Sequence, residues 1–242
     1  YRTAKDGDAE ALDVLVKLLA DGSTSRFYKK AVVEERIASS ANGYYDSNGL
    51  DSGKVALYAI AQDKADLPKI EELIDSLIAD ITANGVSEAE LGLDVALRLE
   101  KLLQDQPGFE VVLTRRTNDF IALEERTALA NKETADLFLS IHANSSPQRD
   151  TRGIETYFLN FASNSHAEAV AARENASSVK AMRNLPQLVK AITTNNKLAE
   201  SREFANIVQT SLLRQARAQN KSVKDLGVKQ APFVVLLGAE MP

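Results

Sequence analysis

The run DLFLSIHANSS, residues 136–146, contains the side chain best suited to chemistry in this sequence. The run is apolar until it reaches His142 and Asn144, as expected of a buried strand that delivers polar groups to its carboxyl end. Open α/β sheets commonly build their sites at such strand ends. His142 is therefore either a ligand or catalytic group, or a structural polar residue at the mouth of a strand.

Composition limits the metal chemistry that is open to the chain. The sequence contains no cysteine and two histidines, so disulfides, thiolate nucleophiles and cysteine-ligated zinc are excluded. Any metal site must use histidine, aspartate or glutamate. The second histidine, His166, lies in the polar stretch SNSHAEA, where it is expected to be solvated.

Length and charge limit the number of domains and the kinds of partner. The 242 residues, 44% of them hydrophobic, suffice for one large or two small domains. The net charge of −5 gives no basic face, so nucleic acid is not expected as a partner. No apolar run approaches the roughly 20 residues that span a bilayer. The polar opening YRTAKDGDAEAL shows no signal peptide, which predicts a cytoplasmic protein or one whose targeting segment has been removed.

The first part of the chain predicts an α+β segment. Apolar residues at helical spacing predict a helix over residues 9–20, and Ser25 is expected to cap a second helix, SRFYKKAVVEERI. The segments ASSANGYYDSNG and GKVALYAIAQ predict two neighbouring antiparallel strands. A long helix, LPKIEELIDSLIADITANG, follows, with Gly85 as its C-terminal cap. The apolar stripe of this helix consists of Ile70, Leu73, Ile74, Leu77, Ile78 and Ile81.

The second part predicts an α/β domain with a mainly parallel twisted sheet and flanking helices. Ser87 and Glu90 form a capping-box pattern at the start of the helix SEAELGLDVALRLEKLLQDQPG. The apolar stripe of that helix is expected at Leu91, Val95, Leu99 and Leu102. The elements predicted after it are the strand FEVVLTR, the helix LEERTALANKE, the strands DLFLSIHA and GIETYFLN, a helical stretch between Pro186 and Asn220, and the strand FVVLLGA. FEVVLTR and DLFLSIHA are expected to be neighbouring parallel strands, and a domain boundary is expected near residues 85–92.

Four motifs follow one another in the order VVLTRRTNDFIALEERTALANKETADLFLSIHANSS, RGIETYFLN, ESREFANIVQ and DLGVKQAPFVVLLGAEMP. Together they closely resemble the zinc-dependent N-acetylmuramoyl-L-alanine amidases over about residues 88–242. The resemblance implies an enzyme that cuts peptidoglycan between the lactyl group of muramic acid and the stem peptide. It also implies a location in the bacterial periplasm or cell envelope.

The same resemblance implies a zinc site made of two histidines and a carboxylate, with a separate glutamate as general base and acid. His142 matches the second histidine, and counting back from ALRL places Glu88 at the carboxylate position. The alternative for Glu88 is an acidic residue that merely favours the first turn of a helix. The family's DPGHGG loop, which carries the first histidine, is absent upstream of Glu88, and the sequence ends at Met241-Pro242, before the family's catalytic glutamate. We therefore expect zinc to bind weakly or not at all, and hydrolysis to be impaired.

About the first 91 residues carry a second resemblance. The G-STSR-YK helix entry and the GVSEAEL helix look like the pitrilysin or insulinase-type zinc peptidases, although that family's HxxEH motif is absent. The chain is thus predicted to consist of a peptidase-like α+β segment, residues 1–91, and an amidase-like α/β domain, residues 92–242. Each half lacks strands of its parent sheet, so exposed sheet edges must be covered by the other half, by an activator protein or by a second chain.

Three functions stay open on the sequence alone. The first is an amidase-class zinc hydrolase of peptidoglycan that is impaired or inactive as this chain. The second is a non-catalytic fused scaffold or peptidoglycan-binding remnant, and the third is a non-catalytic pitrilysin-type peptidase subunit. Zinc stoichiometry separates the first from the others, because an intact amidase site binds about one zinc per chain.

Overall fold

The computed structural model describes residues 9–48, 52–144, 153–176, 192–193 and 197–242. The chain has a mixed architecture of helices and strands and divides into two compact units, Tyr1–Pro107 and Gly108–Pro242. Each unit contains its own hydrophobic core. The predicted boundary between residues 91 and 92 separates two family resemblances, and it stays a prediction.

The first unit packs helices against a pair of antiparallel strands. Its elements are α1 (Ala9–Ala20), α2 (Arg26–Tyr28), a π-helical segment (Lys29–Glu34), β1 (Ala38–Asp46), β2 (Lys54–Ala61), a 3-10 turn (Lys64–Asp66), α3 (Leu67–Asn84) and α4 (Glu88–Gln104). β1 pairs with β2 so that Asn42 lies opposite Tyr58. The predicted hairpin and the helices on either side of it are confirmed, with α2 continuing directly into the π-helical segment.

Short-range hydrogen bonds set the helix ends of this unit as the sequence predicts. The Ser25 side chain accepts a hydrogen bond from the Tyr28 N–H at the start of α2. Ser87 and Glu90 complete the capping box of α4, and Gly85, with a φ of 72°, terminates α3. These caps satisfy backbone groups that would otherwise lose their partners at a helix end.

The core of the first unit is formed by one face of α3 packed against α1, α2 and β1. Its buried side chains include Leu19, Phe27, Ala41, Ile70, Leu73, Leu77 and Ile81. The predicted apolar stripe of α3 is therefore confirmed at five positions, four of them buried and Ile74 partly buried against the core, whereas Ile78 is exposed. The predicted stripe of α4 is wrong at Val95 and Leu102, which are exposed, while Leu91 and Leu99 are half-buried. The buried residues of α4 are Gly92, Leu93 and Glu100.

The second unit contains one parallel strand pair with helices packed on it. Its elements are α5 (Leu123–Lys132), β3 (Gly153–Leu159), α6 (Ser165–Asn175), α7 (Leu198–Gln219), β4 (Lys224–Ala231) and a 3-10 turn (Val234–Leu236). β3 runs parallel to β4, with Tyr157 opposite Lys229. The predicted helix LEERTALANKE and strand GIETYFLN are confirmed. α7 confirms the part of the stretch 186–220 that the structure describes, and the rest lies outside the described residues.

Three strand predictions in this unit are wrong. Residues 109–115 and 136–143 belong to no strand, and residues 233–239 contain a 3-10 turn instead. The expected pairing of FEVVLTR with DLFLSIHA is therefore not found, and the strands of the described residues form only two small sheets of two strands each. A strand requires a neighbour for its N–H and C=O groups. Among the described residues neither segment pairs with a strand, and Phe109 and Leu139 are exposed.

Two buried polar side chains, Thr127 and Gln209, join the elements of the second unit. Thr127 of α5 donates its hydroxyl hydrogen to the Val235 carbonyl, with a distance of 2.6 Å between the oxygens. Gln209 of α7 donates to the Ile154 carbonyl and to Asp225, and accepts from Thr156. These contacts satisfy the polar groups of two buried side chains. The core of the unit contains Leu123, Ala167, Val170, Ala171, Ala231, Phe233, Val234 and Val235.

None of the helices among the described residues combines the length and the apolar character that crossing a membrane requires.

Candidate functional site

The segment that contains His142 follows α5 and belongs to no helix or strand. Its local anchor is a hydrogen bond from the Phe138 N–H to the Pro242 carbonyl, at 2.8 Å. From this anchor the segment passes Ser140 and reaches His142 and Asn144, both of which are exposed residues. The predicted order of apolar run, histidine and asparagine is therefore retained, although the run is not part of a sheet.

His142 contacts the last turn of α6. Its Nδ1 lies 3.0 Å from Oε2 of Glu174, and its Nε2 lies 3.1 Å from the hydroxyl oxygen of Ser140. The hydrogen bond from His142 lowers the pKa of the Glu174 carboxyl below its ordinary value, against the opposing effect of burial. The imidazole is thus engaged by a carboxylate of its own unit.

A second polar group is centred on Glu155 of β3. Its Oε2 lies 2.5 Å from Nζ of Lys229 on β4 and 3.8 Å from Nε2 of His166 on α6. Its Oε1 accepts a long hydrogen bond of 3.4 Å from the side-chain amide of Asn144. The prediction that His166 is solvated agrees with its exposure of about half of the side chain.

The aromatic ring of Tyr157 contacts Lys229 of this second group. Nζ of Lys229 lies 5.8 Å from the centre of the Tyr157 ring, and the ring of Phe233 contacts it edge-on at 5.1 Å. Burial raises the pKa of the Tyr157 hydroxyl, and the nearby negative charge of Glu155 raises it further. Tyr157 therefore stays protonated at any physiological pH.

Glu88, the other predicted ligand, lies in the first turn of α4 and is exposed. It belongs to the unit Tyr1–Pro107, whereas His142 belongs to the unit Gly108–Pro242. Neither unit therefore contains both side chains. Their joint action on a metal ion stays a prediction.

The donors around His142 are too few for a catalytic zinc site. A catalytic zinc site uses three protein ligands and one open position. An imidazole and a carboxylate in contact, as in His142 and Glu174, are suitable donors. However, the part of the chain that the structure describes holds no group of three or more histidine, aspartate or glutamate residues able to bind a metal ion. The described residues therefore do not fit a three-ligand zinc site.

Sequence reasoning found His142 but missed the residues that surround it. Glu174 lies in an Ala-rich stretch without a motif, and Lys229 lies in a segment too polar to predict a strand. Glu155 stands inside the quoted motif RGIETYFLN, where an acidic residue in the middle of an otherwise apolar strand was the available signal.

Comparison with known proteins assigns the chain to a family. Residues 78–242 match the N-acetylmuramoyl-L-alanine amidase family, and residues 2–93 match the inactive domain of the M16 peptidases. The amidase match covers more than half of the chain, so the chain belongs to the N-acetylmuramoyl-L-alanine amidase family. Both resemblances predicted from the motifs are confirmed.

Three curated amidases illustrate the similarity. The amidase LytC of Bacillus subtilis is 31% identical over 159 residues, which are 66% of this chain and 24% of LytC. The sporulation-specific amidase of the same organism is 31% identical over 151 residues, 57% of this chain and 58% of that protein. AmiC of Escherichia coli is 31% identical over 163 residues, 64% of this chain and 38% of AmiC. The chain thus spans between about a quarter and three fifths of the length of these relatives.

Two solved structures are similar to parts of the chain. The catalytic domain of CwlV, an N-acetylmuramoyl-L-alanine amidase from Bacillus (Paenibacillus) polymyxa var. colistinus, is 29% identical, with a TM-score of 0.36 over 62% of this chain and 60% of that one. A protease from Helicobacter pylori is 26% identical, with a TM-score of 0.35 over 41% of this chain and 24% of that one.

Proposed function

We propose that this protein acts on peptidoglycan as an N-acetylmuramoyl-L-alanine amidase-class hydrolase, with the amide bond between muramic acid and the stem peptide as its target. The observation that carries this proposal is the family match over residues 78–242. The curated amidases at about 31% identity support it. The substrate places the protein in the bacterial periplasm or cell envelope.

The family is generally zinc-dependent, and His142 and Glu88 remain our proposed ligands. Two protein ligands hold zinc more weakly than three, because water replaces a lost ligand only in part. The described residues do not fit a three-ligand site. We propose that the chain of this sequence hydrolyses peptidoglycan weakly or not at all.

The mainly parallel sheet expected for the amidase-like part also belongs to this proposal. Residues 109–115 and 136–143 belong to no helix or strand and expose Phe109, Val112, Leu137 and Leu139. Apolar segments rich in Val, Ile and Phe can form a strand when a neighbouring strand supplies the ladder hydrogen bonds. We propose that a second chain, such as another copy or an activator protein, covers them and completes the sheet.

A non-catalytic role is the second candidate. The absence of a three-donor metal group among the described residues favours a fused scaffold or a peptidoglycan-binding remnant. The match of residues 2–93 to an inactive peptidase domain favours, more weakly, a non-catalytic pitrilysin-type subunit. A scaffold that binds peptidoglycan would sediment with cell-wall sacculi, whereas a peptidase subunit would not.

Zinc content and the release of stem peptides test the proposal directly. We expect the purified chain to contain well under one zinc per molecule by elemental mass spectrometry, because its described ligands are too few. We expect it to sediment with purified sacculi and to release negligible stem peptide, with or without a chelator. The His142→Ala variant should behave like the wild type in the release assay.

Two results would contradict this account in different ways. Failure to sediment with sacculi would remove peptidoglycan as the partner and favour the peptidase-subunit alternative. Rapid, chelator-sensitive release of stem peptides that is lost in His142→Ala would show that a complete zinc site exists and that the chain is an active amidase.

A further inference from the structure

The contact with Glu155 determines which way the side-chain amide of Asn144 is turned. Its nitrogen Nδ2 lies 3.4 Å from Oε1 of Glu155. An ionised carboxylate only accepts hydrogen bonds, so the amide of Asn144 must turn its NH₂ group toward Glu155. Its carbonyl oxygen Oδ1 is then directed elsewhere, and no described residue donates a hydrogen bond to it.

Glu155 is itself held firmly. Nζ of Lys229 lies 2.5 Å from Oε2, and both side chains are mostly shielded, with 12% of Glu155 and 18% of Lys229 exposed. The two residues stand on paired strands, because β3 and β4 are in register at Tyr157 and Lys229. Lys229 contacts Oε2, and Asn144 contacts the other oxygen, Oε1. A shielded, charge-assisted pair of this kind keeps its geometry better than a surface pair does.

We propose that Asn144 is a ligand-binding residue whose Oδ1 accepts a hydrogen bond from an amide N–H of a muramyl peptide, and that Glu155, held by Lys229, is the positioning residue that orients it. The proposal rests on the proposed function for the identity of the ligand. It names a polar contact beside His142 that requires no metal ion. An amide N–H is present both in the peptide and in the acetamido group of the sugar, so the experiment must separate these two sources.

The test uses muramyl dipeptide, N-acetylmuramoyl-L-alanyl-D-isoglutamine, titrated into the ¹⁵N-labelled full chain and followed by NMR. We expect the wild type to bind and Asn144→Ala to raise the Kd about tenfold, the effect of losing one hydrogen bond of about 1.4 kcal/mol. Asn206→Ala is the matched control, because Asn206 is an exposed asparagine on α7 that bonds only locally, to the Arg202 carbonyl. Its Kd should equal that of the wild type.

The positioning role of Glu155 has its own readout. In Glu155→Gln the side-chain NH₂ signals of Asn144 should move toward those of an unbonded amide, and the Kd should rise. The double variant Asn144→Ala, Glu155→Gln should bind no more weakly than Asn144→Ala alone, because Glu155 acts through Asn144. Effects of the two substitutions that simply add would overturn the positioning role.

Further titrations identify the source of the bound N–H and separate this inference from the proposed function. Parallel titrations with N-acetylmuramic acid and with L-alanyl-D-isoglutamine identify the source of the N–H as the ligand whose Kd changes in Asn144→Ala. Wild-type binding of muramyl dipeptide that Asn144→Ala leaves unchanged overturns this inference and leaves the proposed function standing. Absence of wild-type binding at millimolar muramyl dipeptide overturns both.

Discussion

Arg26 and Glu90 form the best-connected charged pair in the first unit. Nε and Nη2 of Arg26 contact the two carboxylate oxygens of Glu90 at 2.7 and 2.8 Å, and Nη1 contacts Asp80 at 2.9 Å. The Arg26 guanidinium is the main cause that lowers the pKa of Glu90 to about 2, assisted by hydrogen bonds from Ser87. This two-pronged geometry ties α2 to the start of α4.

Glu90→Gln should therefore destabilise the first unit in a pH-dependent way. A carboxyl whose pKa is lowered by folding stabilises the protein at any pH above its unfolded pKa, which is about 4.3. That contribution disappears as the pH falls from there toward 2, where folded Glu90 takes up its proton. Urea unfolding should show a loss of about 1–2 kcal/mol at pH 7 and roughly half of that loss at pH 3, where folded Glu90 is still mostly ionised.

A matched control for Glu90 lies on the neighbouring helix. Glu71→Gln changes an exposed glutamate of α3 and should alter the free energy of unfolding by less than about 0.5 kcal/mol at either pH. If Glu90→Gln lost the same free energy at pH 3 as at pH 7, the ion pair would not be the origin of its effect.

At the level of single residues, sequence reasoning could predict His142 but not its partner. The type and position of His142 are visible in SIHAN, because a polar pair after an apolar run is a local signal. The contact with Glu174 depends on how α6 packs, which is tertiary information. The same holds for Asn144, Glu155 and Lys229, which come from three separate segments of the chain.

Among the elements, α5 is joined to the 3-10 turn Val234–Leu236 through one buried hydroxyl. Thr127→Val keeps the shape of the side chain but removes the donor to the Val235 carbonyl. A buried acceptor without its partner costs about 1–3 kcal/mol. We expect thermal and urea unfolding to show a loss of that size in the second unit.

Thr82 provides the corresponding control on α3. Its hydroxyl also contacts a carbonyl at 2.6 Å, that of Ile78, but this contact is exposed to water. Thr82→Val should therefore leave stability nearly unchanged, since water can replace the lost donor. Equal losses in the two variants would show that burial of the Val235 carbonyl is not what makes Thr127 important.

Helices were predicted better than strands for a physical reason. The caps at Ser25, Ser87 and Gly85 lie within a few residues of the groups that they satisfy, so the sequence contains the whole interaction. The apolar segments 109–115 and 136–143 have the composition of strands, but their ladder requires a partner that is distant in sequence. β4 shows the converse, since its polar sequence KDLGVKQA is a strand only because β3 lies beside it.

For the whole molecule, two separate cores predict two unfolding transitions. The core of α1, α2, β1 and α3 lies within Tyr1–Pro107, and the core around Phe233 lies within Gly108–Pro242. Units with their own cores commonly unfold as separate cooperative units. Hydrogen exchange read by mass spectrometry along a urea series should give one midpoint for peptides of residues 9–107 and another for peptides of residues 108–242.

The two variants above make that prediction specific. Glu90→Gln should lower the midpoint only for peptides of the first unit, and Thr127→Val only for those of the second. The sequence contains no tryptophan, so peptide-level exchange is more informative than fluorescence. A single midpoint that both variants shift would mean that the chain unfolds as one cooperative body.

The family matches divide the molecule differently from its cores. The peptidase match ends at residue 93 and the amidase match begins at residue 78, so both include Glu90 and the start of α4. The sequence could predict this overlap from the GVSEAEL helix, which carries signals of both families. It could not predict that α4 belongs to the first unit, because only packing determines which core a helix joins.

The strand pairings of the two units differ in how much chain separates their partners. β1 and β2 begin at residues 38 and 54, whereas β3 and β4 begin at residues 153 and 224. Closing a longer loop costs more chain entropy, and folding slows as contacts become less local. During synthesis the hairpin can therefore form long before β4 has left the ribosome, while β3 must wait, unpaired, for its neighbour. The first unit should thus emerge as the early folding nucleus, and until β4 is synthesised the edge of β3 stays open to pairing with other chains.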